Sequence, residues 1–336
     1  MSNSRAVATL LSFAFASILV SCQKPTPNTA PADQGRLIVF NAGSLTASFA
    51  EMLDEFKRLH PGMTAQQESS GSLEAARKIT DLGKQCDVLA VADFDVIPAL
   101  LIPQYADWYA VFARNQMVLA YTPKSKFNAE INDRNWFEIL LRQGVEYGHS
   151  DPDQDPAGYR TLLHWQLAEQ FYSRAGLYRQ LQDRMPGKNI RPKSVELVAL
   201  LQSGELDYIY EYRSVAEQNK LNFLVFPPEI DLSDPAKADF YANASVEVAG
   251  NKPGDRIKIQ GMPILFGLTI PKTAQNNSAA EQFVAFIFSQ EGQAIMKKYF
   301  LIAVSPPLAS DVSRLPAALR DKAVSFKEPT APRPVG

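Results

Sequence analysis

Residues 36–93 read RLIVFNAGSLTASFAEMLDEFKRLHPGMTAQQESSGSLEAARKITDLGKQCDVLAVAD. Three strand-like runs, at 36–42, 63–70 and 87–93, alternate with two segments in which apolar residues recur at three- and four-residue spacing, the spacing of a helix face. The last run is almost wholly apolar, which is typical of a strand buried on both faces of a parallel sheet. This alternation predicts an open α/β sheet.

Two long β-rich segments interrupt that alternation. Residues 108–121 read WYAVFARNQMVLAY, and residues 254–271 read GDRIKIQGMPILFGLTIP. Each is long enough to leave one sheet and enter another. We therefore expect an α/β protein of two lobes with a cleft between them. Lobe I would comprise residues 36–118 and 262–326, and lobe II residues 119–261.

The first 22 residues indicate export. Arg5 precedes an uncharged apolar run that ends at Val20, which is short for a membrane-spanning helix and typical of a signal peptide. The ending LVSC resembles a bacterial lipobox, in which cleavage precedes a cysteine that is then acylated. We expect lipidation at Cys22, a tether at residues 23–35, a disordered tail at 327–336, and an extracytoplasmic protein attached to the membrane only through its lipid.

Composition excludes several classes of protein. The 336 residues are 46% hydrophobic and carry a formal net charge of −2. This apolar content is too high for a mostly disordered chain, and the near-neutral charge lacks the basic excess of a general nucleic-acid binder. With Cys22 acylated, Cys86 has no partner for a disulfide, and we expect it to be a small buried core residue.

Candidate binding residues follow from where strands end. In an open α/β sheet, ligands bind beyond the carboxyl ends of the strands. The pattern places residues 41–44, 68–72, 153–155, 194 and 211–212 there. The predicted helix starts in this set carry Ser44, Ser72, Asp155 and Ser194. A helix start offers unpaired N–H groups and about half a positive charge, so it attracts anions. Each of the four could instead be an ordinary N-cap.

Catalytic and metal sites find little support in the sequence. The three histidines are His60, His149 and His164, and no nucleophile-elbow, zinc-protease, P-loop or dinucleotide motif is present. The alternating acidic residues of 151–155 lack the glycine and distant glutamate of a calcium loop. We expect no catalytic residue, no resident metal and no cofactor. A surface hydrolase that uses a serine such as Ser44 would lack a positioned base.

Longer strings resemble a known family. They are FNAGSLTASF (40–49), ESSGSLEAARKITDLGKQCDVLAVAD (68–93), PQYADWYAVFARNQMVLAYT (103–122), GHSDPDQDPAGYR (148–160) and ELVALLQSGELDYIYEYRSVAEQ (196–218). From about residue 37 to 301 the chain is similar to archaeal-type molybdate/tungstate-binding proteins, the solute receptors of ABC importers. The resemblance implies a type II periplasmic-binding-protein fold that closes on a tetrahedral oxyanion, with an importer permease as partner. We expect a monomer.

The resemblance also implies which residues bind. The family's binding positions fall on Gly43, Ser44, Ser72, Asp153, Gln154, Asp155, Ser194 and Tyr212. In archaeal members two carboxylates reach the metal and raise its coordination from four oxygens to six. Asp155 matches the first carboxylate, whereas the second aligns with Ser194 in an ungapped placement. We therefore expect four-coordinate binding by neutral donors, without a cationic counter-charge.

Two other residues could supply a second carboxylate. Glu211 stands beside Tyr212, but successive residues of a regular strand point to opposite sides. Only a bend at the end of the strand would let both face the anion. Glu196, in the helix that begins near Ser194, is the other candidate. A carboxylate in the site would repel sulfate, whereas molybdenum and tungsten accept a further oxygen ligand. Sulfate, phosphate or another small anion remains an alternative cargo.

Overall fold

The structure is a computed structural model that describes residues 35–250 and 254–326. The predicted signal peptide, Cys22, the tether except for its last residue, and the tail at 327–336 lie outside the described residues. Among the helices of the described part, none combines the length and the apolar character needed to cross a membrane.

Fourteen strands are described in these ranges. They are β1 (Arg36–Ala42), β2 (Thr64–Ser70), β3 (Val88–Val91), β4 (Ala110–Arg114), β5 (Met117–Tyr121), β6 (Tyr147–Ser150), β7 (Ile190–Arg191), β8 (Tyr208–Tyr212), β9 (Asn222–Val225), β10 (Ser245–Ala249), β11 (Arg256–Gln260), β12 (Leu265–Thr269), β13 (Ile302–Ala309) and β14 (Val324–Ser325).

The α-helices of the same ranges cover the faces of the sheets. They are α1 (Thr46–Leu59), α2 (Ser72–Thr80), α3 (Val96–Leu100), α4 (Trp136–Leu140), α5 (Pro156–Phe171), α6 (Leu177–Arg184), α7 (Ser194–Ser203), α8 (Arg213–Gln218), α9 (Ala238–Tyr241), α10 (Asn277–Phe288) and α11 (Gln290–Lys298). A single turn of 3₁₀ helix, Gly43–Leu45, precedes α1.

The strands form two main sheets, and each sheet defines one lobe. The sheet of lobe I has the order β14-β13-β4-β12-β3-β1-β2, with β1 parallel to both β2 and β3. The sheet of lobe II has the order β7-β6-β8-β5-β9, and β10 and β11 form a separate antiparallel pair. The two-lobed α/β prediction is confirmed.

The predicted crossing segments connect different sheets. Residues 108–121 contain β4 in lobe I and β5 in lobe II, so the stretch is two strands rather than one. On the return, β11 belongs to the pair with β10, and β12 joins the sheet of lobe I. Each predicted crossing segment is therefore divided into two strands, because the chain leaves one sheet and enters another.

Each lobe has its own aromatic core. In lobe I, the rings of Phe56 and Phe283 lie 5.2 Å apart between α1 and α10. In lobe II, Trp136 packs edge-on against Phe226 at 5.3 Å. Cys86 is buried, as predicted, and burial raises the pKa of its thiol. These cores support the strand ends that face the other lobe.

Candidate functional site

Four helix starts meet where the two lobes touch. Ser72 and Ser194 are the first residues of α2 and α7, and Asp155 immediately precedes α5. A Cβ atom added to Gly71 would lie 2.2 Å from the carbonyl oxygen of Gln154 and 3.3 Å from Cβ of Asp155. The start of α2 in lobe I therefore lies directly against the start of α5 in lobe II.

The remaining two helix starts meet in the same way. A Cβ atom added to Gly43 would lie 3.2 Å from Cγ2 of Val195, the second residue of α7. The 3₁₀ turn that holds Ser44 therefore packs against the start of α7. Because Asp155 also contacts Ser194, all four starts belong to one site.

These residues are not ordinary N-caps. Ser44, Ser72 and Ser194 do not occupy N-cap positions, which fall on Leu45, Gly71 and Lys193. Asp155 occupies the N-cap position of α5, but its Oδ2 accepts from the backbone N–H of Ser194 at 3.0 Å. Its carboxylate thus connects two helices instead of closing one.

A second carboxylate completes this group. The hydroxyl of Ser194 donates to Oε1 of Glu211 at 3.0 Å, and the backbone N–H of Tyr212 donates to the same oxygen at 2.7 Å. Ser194 therefore joins Asp155 to Glu211. Within the described part of the chain, Oε2 of Glu211 and the hydroxyl of Ser44 are buried and make no hydrogen bond to protein. Both atoms therefore have unused hydrogen-bonding capacity at the junction of the lobes.

Burial dominates the electrostatics of the carboxylate pair. It raises the pKa of Asp155 to about 6, although the hydrogen bond from the backbone N–H of Ser194 acts in the opposite direction. Burial also raises the pKa of Glu211 to about 8, and the charge of Asp155 adds to that rise. Two negative carboxylates are unfavourable in this space unless an electron-poor centre lies beside them.

Glu211 contacts Ser194 at the site, although strict alternation along β8 would turn it away. Alternation holds inside a regular strand, but β8 ends at Tyr212, which is already the N-cap residue of α8. Oε1 of Glu211 accepts from Ser194, the residue that also contacts Asp155, and the hydroxyl of Tyr212 accepts from Arg160 on α5. Glu196, the other candidate, lies 3.6 Å from Nζ of Lys193 and is part of an ion pair at the surface.

Two predicted binding residues have structural contacts instead. Oδ1 of Asp153 accepts from the backbone N–H of Ala249 at 2.7 Å and pairs with Arg256 at 3.0 Å, so this side chain faces the β10–β11 pair. The side chain of Gln154 bonds to Asp151, while its carbonyl accepts from the backbone N–H of Leu73 at 3.2 Å. Gln154 therefore links the lobes through its backbone.

Ser72 lies at the junction of the lobes with its hydroxyl partly used. Its Oγ accepts from the backbone N–H of Ala92 at 2.9 Å, which leaves the hydroxyl proton to donate elsewhere. The side chain is fully buried. Ser44 and Ser72 thus bring hydroxyl groups from lobe I to the carboxylates of lobe II.

A cation that was not among the predicted site residues lies near the site. Nη1 of Arg160, on α5, donates to the hydroxyl of Tyr212 at 2.7 Å, and its Nη2 pairs with Asp93 at 3.1 Å. Because Asp93 balances the charge of Arg160, the expectation that no cationic counter-charge holds the anion stays a prediction. The available signal is the arginine that ends the string GHSDPDQDPAGYR, five residues after Asp155 and on the helix that Asp155 precedes.

Two α/β lobes that enclose buried polar groups at facing helix starts define the class of solute-binding proteins, which close on a small ligand. The chain belongs to the family of bacterial extracellular solute-binding proteins, whose model matches residues 37–301.

Relatives by sequence are consistent with this family. The chain is 39% identical over 300 residues to the molybdate/tungstate-binding protein WtpA of Pyrococcus abyssi. The aligned region covers 82% of this chain and 86% of that protein. It is 46% identical over 287 residues to an uncharacterized solute-binding protein of Petrotoga mobilis. That alignment covers 85% of this chain and 89% of the relative. The resemblance described from the sequence is confirmed.

Solved structures show the shared fold. The periplasmic molybdate-binding protein of Azotobacter vinelandii matches with a TM-score of 0.59 at 16% identity, over 79% of this chain and 98% of that one. The sulfate-binding protein SubI of Mycobacterium tuberculosis matches with the same TM-score at 14% identity, over 81% and 88%. Because both scores are equal, the fold does not separate one oxyanion from the other.

Proposed function

We propose that this chain captures molybdate or tungstate outside the cytoplasm and presents it to an ABC importer, without chemical turnover. The buried pair of Asp155 and Glu211, joined through Ser194, is the observation that carries the proposal. The sequence relationship to WtpA supports the same cargo.

The carboxylate pair suits a metal oxyanion. Sulfate and phosphate present only oxygen atoms to the protein, so two nearby carboxylates repel them. Molybdenum and tungsten are large, electron-poor centres that accept further oxygen ligands. Oε2 of Glu211, which is buried without a protein partner, is free to be such a ligand. We therefore propose six oxygen ligands, four from the oxyanion and one each from Asp155 and Glu211, in place of the four expected from the sequence.

The remaining groups bind the oxygen atoms of the anion. The hydroxyls of Ser44, Ser72 and Tyr212 are neutral donors. At the starts of α2 and α7, the N–H groups of Leu73 and Glu74 donate to the carbonyl of Gln154 and that of Ser194 donates to Asp155. These helix starts therefore add favourable partial charge near the anion rather than direct hydrogen bonds from these three groups. In this arrangement hydrogen-bond donors face the negative oxygens of the anion, and carboxylates face its electron-poor metal.

Titration calorimetry tests this cargo. We expect the soluble form, residues 23–336, to bind tungstate and molybdate in a one-to-one ratio and to retain either one in a large excess of sulfate. Displacement of both by sulfate or phosphate would contradict the proposal and favour the alternative cargo. Ester or phosphate hydrolysis that disappears in Ser44→Ala would instead indicate the hydrolase.

The export signal completes the proposed role. We propose that acylated Cys22 anchors the mature monomer, so that the receptor stays close to its permease. Mass spectrometry of the membrane-extracted protein would show the added lipid on an N-terminal cysteine. A mature protein that is released to the medium with an unmodified Cys22 would contradict the anchor and leave the cargo untouched.

A further inference from the structure

A buried ion pair joins the two lobes behind the proposed anion site. Asp93 follows β3 in lobe I, and Arg160 lies on α5 in lobe II. Their Oδ2 and Nη2 atoms are 3.1 Å apart, and both side chains are only 1% exposed. Removing one member of such a pair leaves an uncompensated charge in the interior, which is strongly unfavourable.

The neighbouring contacts cross the same boundary. Nη1 of Arg160 also donates to the carbonyl of Ala92 in lobe I at 2.6 Å. Tyr159, the preceding residue of α5, donates its hydroxyl to Oδ2 of Asp93 at 2.5 Å. All of these contacts require the two lobes to be together, so they contribute only to the closed arrangement.

Arg160 also makes a hydrogen bond within lobe II. Nη1 donates to the hydroxyl oxygen of Tyr212 at 2.7 Å. A phenol oxygen that accepts from a guanidinium keeps its own hydrogen for donation, and the cation polarises that O–H into a stronger donor. The rings of Tyr212 and of Phe266 on β12 lie 5.6 Å apart, so the tyrosine itself packs against lobe I.

We propose that Arg160 is a positioning residue that couples closure of the lobes to anion capture. It holds Ala92 and Asp93 of lobe I against lobe II, and the same guanidinium turns the hydroxyl hydrogen of Tyr212 towards the anion. The inference rests on the proposed function and adds to it the group that keeps the site closed. We call the contacts of Arg160 with Ala92 and Asp93 the latch. The latch forms after the anion has entered, so it affects the rate of release more than the rate of association.

The rate at which radiolabelled molybdate is released, measured by rapid filtration, tests the latch. The variants are Arg160→Gln, Asp93→Asn and the double variant. We expect each single variant to release molybdate roughly a hundredfold faster than the wild type, with little change in association. The double variant should be little worse than either single one, because both remove the same pair. Arg179→Gln is the matched control, since it breaks an exposed ion pair with Asp183 in lobe II and should leave release unchanged.

Two further measurements separate the latch from a merely structural role. In a Tyr212→Phe background, Arg160→Gln should accelerate release less than it does in the wild type. A structural role would instead lower the urea midpoint of the ligand-free variants and leave their release rates at the wild-type value, which would overturn the latch. A wild-type chain that retains no molybdate contradicts the proposed function, whereas retention with equal release rates in all variants overturns only the latch.

Discussion

The hydroxyl of Ser194 donates to Oε1 of Glu211 at 3.0 Å, while the backbone N–H of Ser194 donates to Asp155 at the same distance. One serine at the first position of α7 thus sets the spacing between two buried carboxylates. An ungapped alignment places the second carboxylate at this serine. In the structure this serine contacts Glu211, at the end of β8, and we propose that Glu211 takes the role of the second carboxylate.

Glu211→Gln should weaken binding of tungstate and molybdate. The amide is of similar size but is a poorer ligand, so we expect a loss of about 2 kcal/mol, roughly thirtyfold in affinity. Sulfate should bind no worse than before, because a negative charge has been removed. Calorimetry with each anion gives both numbers. Glu196→Gln is the control, and an equal loss of affinity for all three anions in Glu211→Gln would contradict a role as ligand.

Ser44→Ala should lower affinity for every oxyanion. Its hydroxyl is buried and makes no hydrogen bond to protein. Its removal therefore breaks no hydrogen bond within the described part of the chain, but it takes one donor from the site. We expect a loss of about 1 kcal/mol, roughly fivefold in affinity. Ser48→Ala is the matched control, because that buried hydroxyl donates to the carbonyl of Leu45 at 3.1 Å. Unchanged affinity in Ser44→Ala would remove Ser44 from the site.

Gly71→Ala should prevent full closure. The backbone of Gly71, with φ −62° and ψ 148°, suits alanine, so the variant should fold normally. The added methyl would lie 2.2 Å from the carbonyl oxygen of Gln154, however, and must push the lobes apart. We expect at least a tenfold loss of tungstate affinity at an unchanged melting temperature of the ligand-free protein. Gly187→Ala, where nothing lies within 4 Å, should bind as the wild type does; equal affinities in the two variants would show that closure tolerates the methyl group.

Binding should depend on pH in opposite directions for the two kinds of anion. Burial and the charge of Asp155 raise the pKa of Glu211 to about 8, so this carboxyl holds a proton at pH 6. It must lose that proton to become a metal ligand, so affinity for tungstate should rise from pH 6 to 8. Sulfate gains nothing from ionised carboxylates, and its affinity should fall over the same range. Calorimetry in buffers of different ionisation enthalpy should show proton release with tungstate only. Parallel pH profiles would contradict carboxylate ligation.

The helix starts of the site could be predicted from sequence because strand, turn and helix signals are local. The runs before Ser44, Ser72 and Ser194 place each serine correctly at the end of a strand or loop and at the start of a helix. Gly43 and Gly71 indicate that another segment packs closely against them. In the structure these neighbours are Val195 and Gln154. Local patterns therefore suffice for the position of each group along the chain.

Orientation and long-range pairing could not be predicted in the same way. Strict alternation turns Glu211 away from the site, because the sequence does not show that β8 ends at Tyr212. Asp153 matches a family position, yet its partner Arg256 is distant in sequence and draws it towards the β10–β11 pair. The pairing of Arg160 with Asp93 exists only through contact between the lobes, and no local signal indicates it.

The number of oxygen atoms around the bound metal tests the central claim most directly. X-ray absorption spectroscopy of the tungstate-loaded protein should show six oxygen neighbours, four short and two longer, with the longer pair reduced to one in Glu211→Gln. Four equivalent oxygens in the wild type, unchanged in that variant, would show that the carboxylates of Asp155 and Glu211 do not reach the metal.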